Sequence, residues 1–173
     1  MLVCVEHKLG LVVIPKAASR TVMDAITLSG KNWIELLTRE FSCLPDRRAF
    51  IREPHDRAEA AFRMYAITGS GHGHDHSSFD SFIANICRDD KNDPHVMSQM
   101  KLCAPKGELL PNSVIRWDFK ELARVLDIPL ACMPHRNAQW GGAKVEWSAA
   151  AREMFDEVYA EDLQLWKGNR CPV

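Results

Sequence analysis

The chain has 173 residues, 46% of them hydrophobic, and a formal net charge of −1. That is enough apolar side chain for the core of one domain spanning 1–173, and too little net charge to direct the protein to nucleic acid or an anionic membrane. No apolar run approaches a membrane span, and MLVCVEHKLG lacks the basic-then-apolar pattern of a signal peptide; the expectation is a cytoplasmic protein whose six scattered cysteines are reduced.

Leu2 to Glu6 reads as a first strand, with a turn over His7 to Gly10. The apolar run Leu9-Gly10-Leu11-Val12-Val13-Ile14 reads as a buried second strand, ended by Pro15. Val22, Ala25 and Ile26 then fit one face of a short helix stopped at Gly30. Trp33 to Phe41 reads as a further helical segment, and Ala49-Phe50-Ile51 as a short strand leading into Arg52-Glu53-Pro54. Asp56 to Tyr65 is helical by spacing, with Ala58, Ala61, Phe62 and Tyr65 on one face. After a loop at Gly69 to His76, Ser77 and Ser78 cap a helix running through Phe79, Phe82, Ile83 and Ile86. Asp89 to Pro94 is a polar connection, Val114 to Trp117 a strand, and Phe119 to Leu126 a helix. Pro129 to Ala138 is irregular, and Ser148 to Trp166 closes the chain as one amphipathic helix with Phe155, Val158, Tyr159 and Leu163 on its apolar side. Strands alternating with helices predict a three-layer α/β architecture, with a central, mainly parallel sheet flanked by helices. Ligands of such sheets sit at the carboxyl ends of the strands.

Two basic turns fall at such ends. In Ile14 to Thr21, IPKAASRT, Lys16 stands at a strand-to-helix turn, with Ser19 and Thr21 where the helix begins. Unpaired backbone N–H groups, a helix dipole, hydroxyls and an ammonium together form a socket for a phosphate-like anion. The plainer alternative is an ordinary strand–turn–helix in which Ser19 is only an N-cap. The nucleoside-triphosphate loop GxxxxGK[ST] is absent, which counts against an ordinary kinase or ATPase. The second turn is Arg52, in FIREPHDRAEAAF. Its guanidinium is a fork suited to a phosphate, or it pairs with Glu53 or Asp56 on the surface.

Together these segments resemble the sulfotransferases that use 3′-phosphoadenosine 5′-phosphosulfate, above all the carbohydrate sulfotransferases of the heparan 2-O and chondroitin type. Pro15-Lys16-Ala17-Ala18-Ser19-Arg20-Thr21 is similar to the family's PKxxST-like turn, and Arg52-Glu53-Pro54-His55-Asp56-Arg57 to its R[DE]PxxR motif. Ser78 to Phe82, Asp93-Pro94-His95-Val96-Met97-Ser98-Gln99, Met133 to Asn137 and Tyr159 to Leu163 resemble its SFxxF, DxHxxxQ, LPHxN and YxxD[LFY] segments, in the same order. The resemblance implies a P-loop-like nucleotide-binding fold. It implies a 5′-phosphosulfate held by Lys16, Ala17, Ala18, Ser19, Arg20 and Thr21, and a 3′-phosphate held by Arg52 and Arg57. The implied reaction is sulfuryl transfer to an acceptor hydroxyl, with a carbohydrate as the expected acceptor and no metal. Two positions depart from the family. Ala60 stands where most members have a serine on the 3′-phosphate, a loss of about 1.5–3 kcal/mol unless Arg57 or a backbone N–H compensates. Arg20 replaces a small or hydroxyl residue, and either adds a phosphate contact or crowds the loop. The lumenal, membrane-anchored topology of many relatives is not expected to carry over.

Sulfuryl transfer builds charge on the leaving bridging oxygen, which by resemblance gives Lys16 a catalytic role. A base must take the acceptor's proton. His95 is the first choice, against a structural histidine bonded to Asp93 or backbone; His55, His72, His74, His76, His135, Glu35 and Glu40 are the other candidates. The HGHDH run offers zinc-type ligands, but its spacing does not preset a tetrahedron, and a flexible loop over the acceptor is the preferred reading. Trp117, Trp140 and Trp147 either stack on sugar rings or belong to the core. The competing functions are a non-catalytic nucleotide-binding protein and a phosphotransferase on a related fold.

Overall fold

The structure is a computed structural model and describes residues 1–5, 7–17, 19–35, 38–69, 73–90, 92–105, 111–133 and 145–168. Among the described residues the strands are β1 (Leu2–Cys4), β2 (Leu9–Val12), β3 (Trp33–Glu35), β4 (Asp46–Ile51) and β5 (Ser113–Arg116). The helices are α1 (Ser19–Leu28), α2 (Thr38–Ser42), α3 (Pro54–Thr68), α4 (Phe79–Arg88), α5 (Gln99–Cys103), α6 (Phe119–Leu126), α7 (Ala149–Val158) and α8 (Ala160–Lys167). The strands form one sheet in the order β3-β1-β2-β4-β5.

The sheet is mixed, which corrects the expectation of a mainly parallel one. β2, β4 and β5 run parallel, with Leu11 opposite Arg48 and Ala49 opposite Val114. β1 lies antiparallel to both β2 and β3, with Val3 opposite Gly10 on one side and Ile34 on the other. The turn at His7 and Lys8 is too short for a crossover, so β1 must fold straight back along β2. Trp33 to Glu35, expected as helix, instead completes the outer edge of β1, and Val5 N donates to Asn32 O (3.0 Å) beyond it.

Period-two alternation sends the strand side chains into two layers. Cys4, Leu9, Leu11 and Phe50 pack under Val22, Ala25 and Ile26 of α1 and Leu122, Ala123 and Leu126 of α6. Val3, Val12, Ala49 and Ile51 face the other way, toward Phe41 of α2, Cys103 of α5 and Leu165 of α8. A separate helical cluster joins Ala58, Ala61 and Tyr65 of α3 to Phe79, Phe82, Ile83 and Ile86 of α4 and Phe155 of α7.

The helix starts follow their caps. Ser78 Oγ accepts from Ser81 N (3.1 Å), Asp118 Oδ1 from Lys120 N (2.6 Å) and Ser148 Oγ from Ala151 N (3.1 Å). The last helix is two helices rather than one, broken at Tyr159, whose hydroxyl donates to Val96 O (2.8 Å). The break turns Asp162 onto the start of α5, where its carboxylate accepts from Ser98 Oγ, Gln99 N and Met100 N at 2.7 to 2.8 Å. Val158, expected on the apolar side, is 50% exposed. The five described cysteines are free thiols. Among the described residues, no helix is long and apolar enough to cross a membrane.

Candidate functional site

Because β2, β4 and β5 are parallel, their carboxyl ends reach the same sheet edge. There the chain turns three times from strand into helix: through Lys16 into α1, through Arg52 into α3, and through Trp117 into α6. The three turns line one cleft of about 440 Å³. Lys16, Ser19 and Arg20 form one wall, and Arg52, Glu53, Asp56, Ala60, Arg63 and Met64 another. His95 joins from the segment before α5, and Trp117, Phe119 and Trp166 supply an aromatic side.

Lys16 has a φ of +62°, in the left-handed region that costs a non-glycine residue about 1–3 kcal/mol. Ala17 N closes the turn onto Ile14 O (3.1 Å), and Arg57 Nε holds it through Pro15 O (3.0 Å). Burial first, then the charges of Arg20, Arg52 and Arg57, pull the Lys16 ammonium down to about 8, against a smaller opposing pull from Asp93. An ammonium crowded by guanidinium groups in a cleft is relieved by an anion.

The sequence-predicted residues divide into those on the cleft and those behind it. Lys16, Ser19, Arg20, Arg52 and His95 line the cleft together. Ala17 is buried in the sheet layer with Val12 and Ile51. Thr21 is buried too, and among the described residues its hydroxyl has no hydrogen-bond partner. Ala18 lies outside the described residues.

Arg57, expected on the 3′-phosphate with Arg52, occupies a different place. It is 3% exposed, and besides Pro15 O it donates to Met97 O and Pro94 O, both at 2.9 Å. It therefore joins the Lys16 turn to the segment carrying His95, as a positioning residue rather than a lining one. Arg52 is itself held by Gln99, the last residue of the DxHxxxQ-like segment, to which sequence reasoning gave no role. Gln99 Oε1 accepts from Arg52 N, and Gln99 Nε2 donates to Arg52 O, each at 2.9 Å.

His95 has its imidazole 31% exposed, with Nδ1 3.0 Å from Asp93 Oδ1. That contact makes Nδ1 the protonated nitrogen and leaves the basic lone pair on Nε2, the arrangement a general base requires. Asp93 is buried, and its second oxygen accepts from the Tyr65 hydroxyl and lies 3.5 Å from His74 Nε2. Burial works to raise the Asp93 carboxyl, but hydrogen bonds from Tyr65 and His95 outweigh it and hold it below the ordinary range. Part of the HGHDH run is thus anchored beneath the site rather than draped over it: His74 is buried, with Nδ1 3.0 Å from Asn85 Oδ1. Among the described residues no group of three or more His, Cys, Asp or Glu side chains is disposed to hold a metal.

The other candidate bases sit elsewhere. His55 has both ring nitrogens against carboxylates, Nδ1 2.7 Å from Glu53 and Nε2 2.6 Å from Asp156. The bond to Glu53 raises its pKa against the effect of burial, and Asp156 adds to the rise; both ring nitrogens are engaged by carboxylates, and His55 does not line the cleft. Glu35 lies on the far edge strand, and Glu40 on α2, neither on the cleft. His72, His135 and Trp140 fall outside the described residues. Trp147 packs on His55, Phe79 and Phe155, while Trp117 and, unforeseen, Trp166 reach the cleft.

No family model matches this chain, and no curated protein or solved structure does. The functional reading accordingly rests on the cleft. Its four cations face two carboxylates, and one of these, Glu53, already accepts from Asp56 N (2.7 Å) and contacts His55. In a chain of net charge −1 this is a local concentration of positive charge, with an oriented imidazole beside it.

Proposed function

We propose that the protein transfers a sulfuryl group from 3′-phosphoadenosine 5′-phosphosulfate to an acceptor hydroxyl, with a carbohydrate as the expected acceptor. A P-loop-like way of holding the nucleotide, by strand-to-helix turns without the glycine-rich loop, is part of this reading. The observation that carries it is the convergence of two cationic turns, at Lys16 and Arg52, with the Asp93-oriented His95 on one cleft. The cleft's 440 Å³ falls within the usual range for a ligand of nucleotide size.

The donor supplies an activated sulfur on a phosphate leaving group. Lys16, Ser19 and Arg20 grip the 5′-phosphosulfate, and Arg52 binds the 3′-phosphate. His95 Nε2 accepts the acceptor's proton as its oxygen bonds to sulfur. Lys16 stabilises the negative charge gathering on the bridging oxygen as the sulfur–oxygen bond breaks. The products are the sulfate ester and 3′-phosphoadenosine 5′-phosphate, with the proton left on His95. Asp93 stabilises the imidazolium so formed.

Isothermal titration with 3′-phosphoadenosine 5′-phosphate, with ADP as control, tests this. The expected result is micromolar binding that requires the 3′-phosphate and weakens in Arg52→Ala. Equal affinity for ADP, or no binding, overturns the reading.

A further inference from the structure

We propose that Arg63 is a direct ligand of the second phosphate, completing with Arg52 an anion subsite along the exposed face of α3; this rests on the nucleotide reading above. Arg63 lines the cleft eleven positions after Arg52, just past the end of the FIREPHDRAEAAF segment and outside its R[DE]PxxR-like motif. Its side chain is 22% exposed. One nitrogen, Nη2, is 2.7 Å from Glu59 Oε2, and the other oxygen of Glu59 accepts from Trp147 Nε1 at 3.0 Å. The indole therefore fixes the carboxylate, and the carboxylate fixes the guanidinium.

That fixing uses only part of the arginine's donor capacity. Nε is buried and, among the described residues, has no hydrogen-bond partner, an incomplete pairing that a bound oxyanion beside the fork would offset electrostatically. Helical side chains lean toward the helix N-terminus, so Arg63 covers the turn before its own Cα, which is where Ala60 sits. Ala60 also lines the cleft and presents only a methyl group there. The guanidinium can thus reach an anion at the point where a longer side chain at position 60 would intervene. Asp56 lines the same wall nearer the start of α3, and its charge steers a dianion away from the first turn and toward the two arginines. The ligand class is a phosphate dianion on the ribose end of the nucleotide.

The test compares 3′-phosphoadenosine 5′-phosphate with ADP in the full chain, for Arg63→Met and Arg63→Lys, with thermal melts as a fold check. Arg63→Met is expected to weaken the bisphosphate about ten- to a hundredfold and leave ADP unchanged. Arg63→Lys, which keeps the charge without the fork, is expected to fall between. Equal weakening of both nucleotides, or none in a folded variant, overturns the assignment of Arg63. If wild type binds the bisphosphate and depends on Arg52 but not on Arg63, only this inference fails. If wild type does not bind it at all, both fail. Weakening confined to an anionic glycan acceptor would move Arg63 to the acceptor side and also overturn the proposal.

Discussion

Anion binding should be accompanied by proton uptake at Lys16. Its pKa of about 8, against an ordinary 10.5, arises from burial and from the neighbouring guanidinium groups. A bound phosphosulfate or phosphate supplies the missing counter-charge and returns the pKa toward its ordinary value. The free protein then binds fewer protons than the complex, so binding takes protons up and weakens as pH rises. From these values the uptake is about 0.1 proton at pH 7, about 0.5 at pH 8 and about 0.9 at pH 9. The affinity should fall about tenfold between pH 7 and pH 9. Second phosphate ionisations lie near pH 6 and contribute little over this upper range. Titration of 3′-phosphoadenosine 5′-phosphate in buffers of different ionisation enthalpy, at pH 8 and pH 9, measures the uptake directly. Lys16→Met should abolish it and should also abolish transfer. An uptake near zero in wild type, or an equal uptake in Lys16→Met, would refute the placement of the anion at Lys16.

Three further outcomes follow from single contacts. Asp93→Asn keeps the shape beneath His95 but loses the charge that fixes its tautomer; transfer should fall by about 10²–10⁴ while nucleotide affinity stays within about threefold, and an unchanged rate would remove His95 as the base. His55, raised by its bond to Glu53 against burial and further by Asp156, lends stability that is full below the unfolded pKa of 6.5 and is lost as pH rises through the higher folded value. The melting-temperature deficit of His55→Gln should therefore be largest near pH 6 and shrink above neutrality, and a pH-independent deficit would show that only ring packing is lost. At Gly10 an added Cβ would fall 2.5 Å from Phe41 Cε2 and 3.0 Å from Leu44 Cδ1. Gly10→Ala should cost about 1–3 kcal/mol in chemical denaturation, and wild-type stability would show that α2 does not close over the β1–β2 hairpin.

What the sequence revealed follows the range of the forces involved. α4 and α6 were readable almost to the residue, because Ser78 and Asp118 cap them locally and their apolar faces repeat at helical spacing. β3 was not, because its strand form is decided by the open edge of β1, some thirty residues away in sequence, and nothing in Trp-Ile-Glu announces it. The five residues of α5 are too few for any periodicity, and the helix is held by Asp162 from the far end of the chain. The same anchorage, with the Tyr159 hydroxyl on Val96, divides what reads as one continuous amphipathic helix.

The site divides in the same way. Lys16 and Arg52 could be picked out because a basic residue directly after an apolar strand must emerge at the sheet edge. Arg57 could not be told from Arg52 by motif, since both are arginines of one short segment. Their roles separate only in three dimensions, where position 57 falls on the buried side of α3 beside three carbonyl oxygens and position 52 stays on the cleft. Buried Arg57, Gln99 and Asp93 act alike: Arg57 fixes the Pro15 carbonyl next to Lys16, Gln99 the backbone of Arg52 and Asp93 the ring of His95. A cleft with three of its lining positions held by buried polar partners is pre-organised at those points, because the ordering entropy is met during folding rather than at binding. Loss of Gln99 should therefore act like a weakened Arg52, lowering affinity for the 3′-phosphate without removing any atom that touches it.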